Sequence, residues 1–160
     1  MVDRPKLDQM LTSLRSYIAE LEQLASVPRA DFLSNKDKIG NAKYQFIAAI
    51  ECCVDVANHI AASEGLRIPR DNADSFSVLV EQGWLPAGKR DSFAAMARFR
   101  NRLVHLYWSV DDARVCDYLQ DSLADLGAFV AAIAGRVTEG QRAAVHVPVS
   151  PAKRPTPAEP

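Results

Sequence analysis

At 160 residues, 48% hydrophobic and 24% charged, the chain has the composition of one ordinary globular domain large enough to bury a core. Its net charge of −1 excludes indiscriminate nucleic-acid binding, which shows as a large basic excess, so any such contact must come from a local patch. The odd cysteine count, with Cys52 and Cys53 adjacent and Cys116 distant, excludes a disulfide framework or zinc site by spacing and reads as reduced thiols.

The first residues lead straight into an amphipathic pattern and carry no signal-peptide apolar core. Leu7, Met10, Leu11, Leu14, Tyr17, Ile18, Leu21 and Leu24 recur at three- and four-residue steps and predict a first helix. Val27-Pro28 breaks it, and the polar run Ser34–Lys38 reads as loop or the ragged start of the next element. A second helix is predicted from about Ile39 to Ser63. It is apolar over a wide arc through Ile47, Ile50, Val54, Ala57 and Ile60, so it belongs at the centre of a bundle. Gly65 and Pro69 end it. A short helix follows from Asp74 or Ser75, carrying Phe76, Leu79 and Val80 and stopped by Gly83.

Pro86 is placed for the start of a fourth helix containing Phe93, Met96, Ala97, Leu103 and Val104. Asp111 or Asp112 then offers a cap for a last helix with a stripe of Leu119, Leu123, Leu126, Val130 and Ile133. Beyond Thr138 the periodicity stops, and five of the nine prolines (148, 151, 155, 157, 160) follow. The expectation is an all-α, up-and-down bundle of four long helices plus a short one over residues 1–137, with a disordered Pro-rich tail over 138–160. No uninterrupted apolar run is long enough to span a bilayer, which points to the cytoplasm.

The fourth helix carries the chemistry, in the run Arg100-Asn101-Arg102-Leu103-Val104-His105-Leu106-Tyr107-Trp108. Arginine is the best fork for a phosphate oxygen, and histidine is the side chain that titrates near neutrality. Together they form a minimal kit for cleaving a phosphodiester without a metal. Lys89, Arg90, Arg98, Arg100 and Arg102 against Asp91 alone make the local basic patch that RNA would need. Asn101 and His105 are an i,i+4 pair, whereas Arg100 lies roughly 140° from His105 on an ideal helix. A joint site therefore needs the long Arg100 side chain, or a distortion near the helix end, to bring both onto one phosphate, which the spacing permits but does not force. The same residues also fit a plainer reading, with His105 as a helix-end charge partner, the arginines as a solvated face and Tyr107-Trp108 as packing at the edge of the core.

Other groupings are weaker. Glu51, Asp55 and His59 line up at i, i+4 and i+8, but no second half of a carboxylate-bridged metal site is present, so a hydrogen-bonded polar layer is expected, with Asp55 orienting His59 or pairing with an arginine. His146 falls in the tail and is assigned no role. No Gly-rich phosphate loop and no Gly-x-Ser-x-Gly elbow occurs.

The Arg-x4-His spacing, with Asn101 after the arginine and Tyr107 two residues after the histidine, resembles the HepT-like ribonuclease toxins of the HEPN superfamily. The resemblance extends through Cys53–Ile60, Gly65–Pro69, Asp74–Leu79, Phe99–Trp108 and Asp111, in the same order and spacing. It implies a homodimeric all-α endoribonuclease, the toxin of a type VII-like toxin–antitoxin pair whose partner is a minimal nucleotidyltransferase antitoxin. It further implies Arg100 and His105 as catalytic residues and Tyr107 as the residue that receives AMP. Asn101 is expected to support them, with Arg98 and Arg102 on the RNA and no metal or other cofactor. A two-fold cleft supplying two imidazoles would allow metal-independent transesterification leaving a 2′,3′-cyclic phosphate. The alternatives are a non-catalytic substrate-binding or regulatory subunit of a nucleotidyltransferase and a plain dimeric interaction protein.

Overall fold

The computed structural model describes residues 2–145, with side chains through residue 140. Among them lie seven α-helices and no strands: α1 (Arg4–Ala25), α2 (Arg29–Leu33), α3 (Lys36–Ser63), α4 (Asn72–Glu81), α5 (Arg90–His105), α6 (Asp112–Asp121) and α7 (Leu123–Val145). The all-α class and the long-helix bundle are as expected. The differences lie in how the chain passes between the long helices.

Helix α1 starts where the Asp3 side chain accepts from the Lys6 N–H at 3.2 Å, with Pro5 in the first turn. Its stripe of Leu7, Leu11, Leu14, Ile18, Leu21 and Leu24 is buried, chiefly against α3. Each such side chain contributes about 1.5–3 kcal/mol when fully buried. Five residues between α1 and α3, too few to display a period, form α2 and bury Phe32 completely. Of the two readings of the polar run, the start of the next helix holds: Lys36–Lys38 are the first turn of α3, and the Asn35 side chain caps it by accepting from the Lys38 N–H at 3.0 Å.

Helix α3 runs through the centre and touches every other helix of the bundle. It alone among the described helices is long and apolar enough, by length and composition, to cross a membrane, and half of that window is buried inside the bundle. Gly65 ends it at φ +64°, with the Leu66 N–H reaching back to the Ala61 carbonyl at 2.8 Å. Gly83 ends α4 in the same way, at φ +71° with Trp84 N–H bonded to Leu79 O at 2.9 Å.

The loop between α3 and α4 is held by charge. Arg67 grips Asp74 through both terminal nitrogens (2.7 and 2.9 Å) and Glu81 through Nε and Nη2 (both 2.8 Å). Asp74 also accepts from the Arg70 backbone N–H at 2.9 Å. Hydrogen bonds from Arg67, then Arg70, hold the Asp74 carboxyl well below the usual carboxylate range. Because its folded pKa is the lower one, its stabilisation is complete above the unfolded value of about 4 and is lost as pH falls. Asp74→Ala is therefore expected to cost about 1–3 kcal/mol at neutral pH, a moderate figure since both arginines reach solvent. Calorimetry at pH 7 and pH 3 checks this, and the gap from wild type should narrow at the lower pH.

Pro86 opens a short 3-10 turn (residues 87–89) before α5 begins at Arg90. Phe99 of α5 stacks on Tyr118 of α6 with centroids 3.6 Å apart and meets Phe46 of α3 edge-on at 5.4 Å. These rings lock the motif-bearing helix to the centre. The expected single last helix is broken at Ser122, whose φ of −109° interrupts the turn between α6 and α7. Its stripe stays in phase, with Leu119, Leu126, Val130 and Ile133 buried and Leu123 partly so. Helix α7 runs on to Val145, past the expected end of periodicity near Thr138. The rest of the expected tail, including His146 and its five prolines, lies outside the described residues.

Candidate functional site

The site forms where α5 stops. Leu106 leaves the helical region at φ −130°, and residues 107–109 make one tight turn closed by Ser109, whose N–H and hydroxyl both donate to the Leu106 carbonyl at 2.9 Å. Val110 then plugs into the core, and the Asp111 side chain caps α6 through the Ala113 N–H at 3.0 Å. Both ends of the turn are thus anchored, while His105, Leu106, Tyr107 and Trp108 stay exposed.

Arg100 does bend. Its Nη1 donates to the Asn101 side-chain oxygen at 3.1 Å, which turns the guanidinium toward the residue one helical turn below His105. Its Nη2 lies 2.5 Å from Glu51 Oε2 on α3, and its Nε is buried with no hydrogen-bond partner among the described residues. The Arg100 side chain is only 18% exposed, so the guanidinium is a fixed cation rather than a free one. His105 is exposed, and neither ring nitrogen has a partner among the described residues. Arg98, Asn101, Arg102 and His105 follow at helical spacing and share one face of α5, with Arg98 and Arg102 exposed.

Of the expected basic patch, two cations are already paired, Arg100 with Glu51 and Lys89 with Asp125 at 2.7 Å. Glu51, read from the sequence as part of a polar layer, is thus the partner of Arg100. Of the rest of that layer, His59 Nε2 sits 3.4 Å from the Asp3 carbonyl rather than on Asp55, and Asp55 is exposed. Asp55 and Glu51 line a groove of about 400 Å³ between α1 and α3, together with Gln9, Ser13, Tyr17 and Cys52. Burial, then Asp55, pushes the Cys52 thiol up to about 11, so no thiolate nucleophile stands there at neutral pH. Among the described residues no three His, Cys, Asp or Glu side chains come together as a metal site.

Tyr107 lies across the first turns of α3. The Lys43 ammonium is 4.6 Å from its ring centroid and 3.0 Å from Asp112 Oδ1, and the phenol oxygen rests 4.0 Å from where a Cβ on Gly40 would stand. Lys43 escaped the sequence reading, although it occupies a core position between Ile39 and Phe46. The arrangement offers a fixed cation, an amide and an open imidazole along one helix end, with an exposed phenol just beyond. That set suits phosphate binding and proton transfer.

The family model described as "Ribonuclease HepT-like" matches residues 14–133. The mRNA nuclease HepT of Shewanella oneidensis is 32% identical over 80 residues, which make up 50% of this chain and 60% of that protein. The chain therefore spans less than two thirds of that curated relative. Among solved structures, a tri-AMPylated Shewanella oneidensis HEPN toxin in complex with MNT antitoxin has a TM-score of 0.75 at 24% identity, covering 84% of this chain and 99% of that one. A toxin–antitoxin structure with AMP-PNP has a TM-score of 0.72 at 23% identity, covering 81% and 97%. YutE, a cytosolic protein of unknown function from Bacillus subtilis, has a TM-score of 0.76 at 19% identity, covering 93% and 96%. At these identities the structural likeness speaks for the fold.

Proposed function

The chain belongs to the HepT-like ribonuclease family, and from that premise we propose that it is a metal-independent endoribonuclease and the toxin of a toxin–antitoxin pair acting in the cytoplasm. The observation that carries the reading is the Arg100–Asn101 hydrogen bond, which turns the guanidinium toward the residue that shares a helix face with His105. In the proposed reaction the substrate's 2′-oxygen attacks the adjacent phosphorus and the 5′-oxygen departs, leaving a 2′,3′-cyclic phosphate and a 5′-hydroxyl. Arg100 neutralises the charge that gathers on the phosphate, and Glu51 and Asn101 hold it in place beforehand. Arg98 and Arg102, on the His105 face, take flanking phosphates.

One imidazole cannot be base and acid at the same moment, so the reaction calls for His105 from each of two copies around a two-fold axis. Val104, Leu106 and Trp108 are exposed around the motif, apolar surface suited to such a homodimer. Control would come from a nucleotidyltransferase antitoxin that attaches AMP to Tyr107. Two of the similar solved structures are toxin–antitoxin assemblies, and the toxin of one of them is AMPylated.

One observation favours a second reading. Glu51 already occupies the Arg100 fork, as it would in a non-catalytic subunit that binds substrate for, or regulates, the nucleotidyltransferase. Expression without the partner separates the two. The wild-type chain is expected to arrest bacterial growth, and Arg100→Ala is expected to relieve the arrest at equal protein level. Normal growth with the wild-type chain, or equal arrest by both, would overturn the nuclease reading.

A further inference from the structure

We propose that Lys43 is a positioning residue for AMP transfer: its buried ammonium presents Tyr107 to the nucleotide and then neutralises the phosphodiester formed there. This rests on the reading of Tyr107 as AMP acceptor. Lysine rarely gives up its hydration, yet Lys43 is 6% exposed within the core stripe of α3. Its compensation is one carboxylate, Asp112, itself 49% exposed, and the π face of Tyr107 at 4.6 Å. A lysine placed only for stability at this position would be weak design, since an apolar side chain would pack there without losing water.

The contacts make sense for Tyr107. Its ring follows a helix end and is exposed, so core packing does not fix it. Lys43 fixes it from below, while Gly40, one turn earlier on α3, leaves room for the hydroxyl end. The phenol is thereby held against α3 by one face while the residue stays 46% exposed. In the transfer, Tyr107 Oη bonds to the α-phosphorus of a nucleoside triphosphate held by the partner. The bond to the bridging oxygen breaks, pyrophosphate leaves with the electron pair, and the phenolic proton passes to solvent. The product carries a new negative charge within reach of a poorly screened ammonium. Asp112, free to turn into water, yields its place to that charge.

The test follows AMP incorporation by intact mass, using the full chain, the partner nucleotidyltransferase and ATP, at a series of chain concentrations. Lys43→Met is expected to lower the maximal rate about tenfold, with the half-saturating concentration shifting less than about threefold. Lys43→Arg, which keeps the charge, is expected to restore the rate to within about threefold of wild type. Should the methionine variant fail to melt cooperatively, Lys43→Gln, which keeps a hydrogen bond to Asp112 without charge, is expected to show the same loss. A wild-type rate in the neutral variants overturns the proposal and leaves Tyr107 as acceptor. Equal loss in the arginine variant means a structural role only and also overturns it. Absence of AMP on the wild-type chain overturns the acceptor reading, and this proposal with it.

Discussion

His105→Ala is expected to slow RNA cleavage by about 10³-fold or more without disturbing the fold, because it removes the group proposed to move protons in the bond-breaking step. In the proposed symmetric dimer the substitution would take away both imidazoles, the proposed base for the 2′-hydroxyl and the proposed acid for the departing oxygen. His105 is exposed and has no partner among the described residues, so its truncation leaves no buried group unsatisfied. Stability should stay within about 0.5 kcal/mol of wild type. Cleavage of a labelled RNA, read beside a thermal melt, measures both. Arg100→Ala is a less clean probe, since it also strands Glu51 against α5 without its cation.

Tyr107→Phe is expected to separate activity from its control. The phenylalanine ring keeps its face toward Lys43, so the turn after α5 and the cleavage rate should be retained. Only the hydroxyl proposed to accept AMP is lost. The wild-type chain incubated with partner and ATP should gain AMP and lose nuclease activity, because a phosphodiester charge and a bulky nucleoside then stand two residues from His105. The phenylalanine variant should incorporate AMP at least about 100-fold more slowly and stay active, an expectation tied to loss of the nucleophile itself. Intact-mass spectrometry decides it, and equal incorporation on the variant would remove Tyr107 as the acceptor.

What the sequence disclosed follows from periodicity and local chemistry. The α1 stripe, the wide apolar arc of α3 and the glycine endings at Gly65 and Gly83 are written in residue type, because amphipathic spacing and positive φ leave few alternatives. Helix α2 is too short to display a period, and the break at Ser122 is silent because Leu119, Leu123 and Leu126 stay in register across it. The first turn of α3 reads equally as loop or helix start because Lys36 and Asp37 are exposed and follow a capping asparagine, as first-turn residues do.

At the site, the run from Arg100 to Tyr107 was legible as a spacing. How Arg100 would be held was not, because its partner Glu51 is 49 residues away and meets it only through the packing of α3 on α5. Lys43 left a trace that could have been followed. In the series Ile39, Lys43, Phe46 and Ile50 it is the one charged residue on a buried stripe, and a charge there demands a partner.

The most direct test is the end chemistry of RNA cut by the purified wild-type chain in EDTA. Undiminished cleavage leaving 2′,3′-cyclic phosphate and 5′-hydroxyl ends, and lost in His105→Ala, is the predicted result. Cleavage that stops when divalent ions are chelated, that leaves 5′-phosphate ends, or that persists in His105→Ala would contradict it.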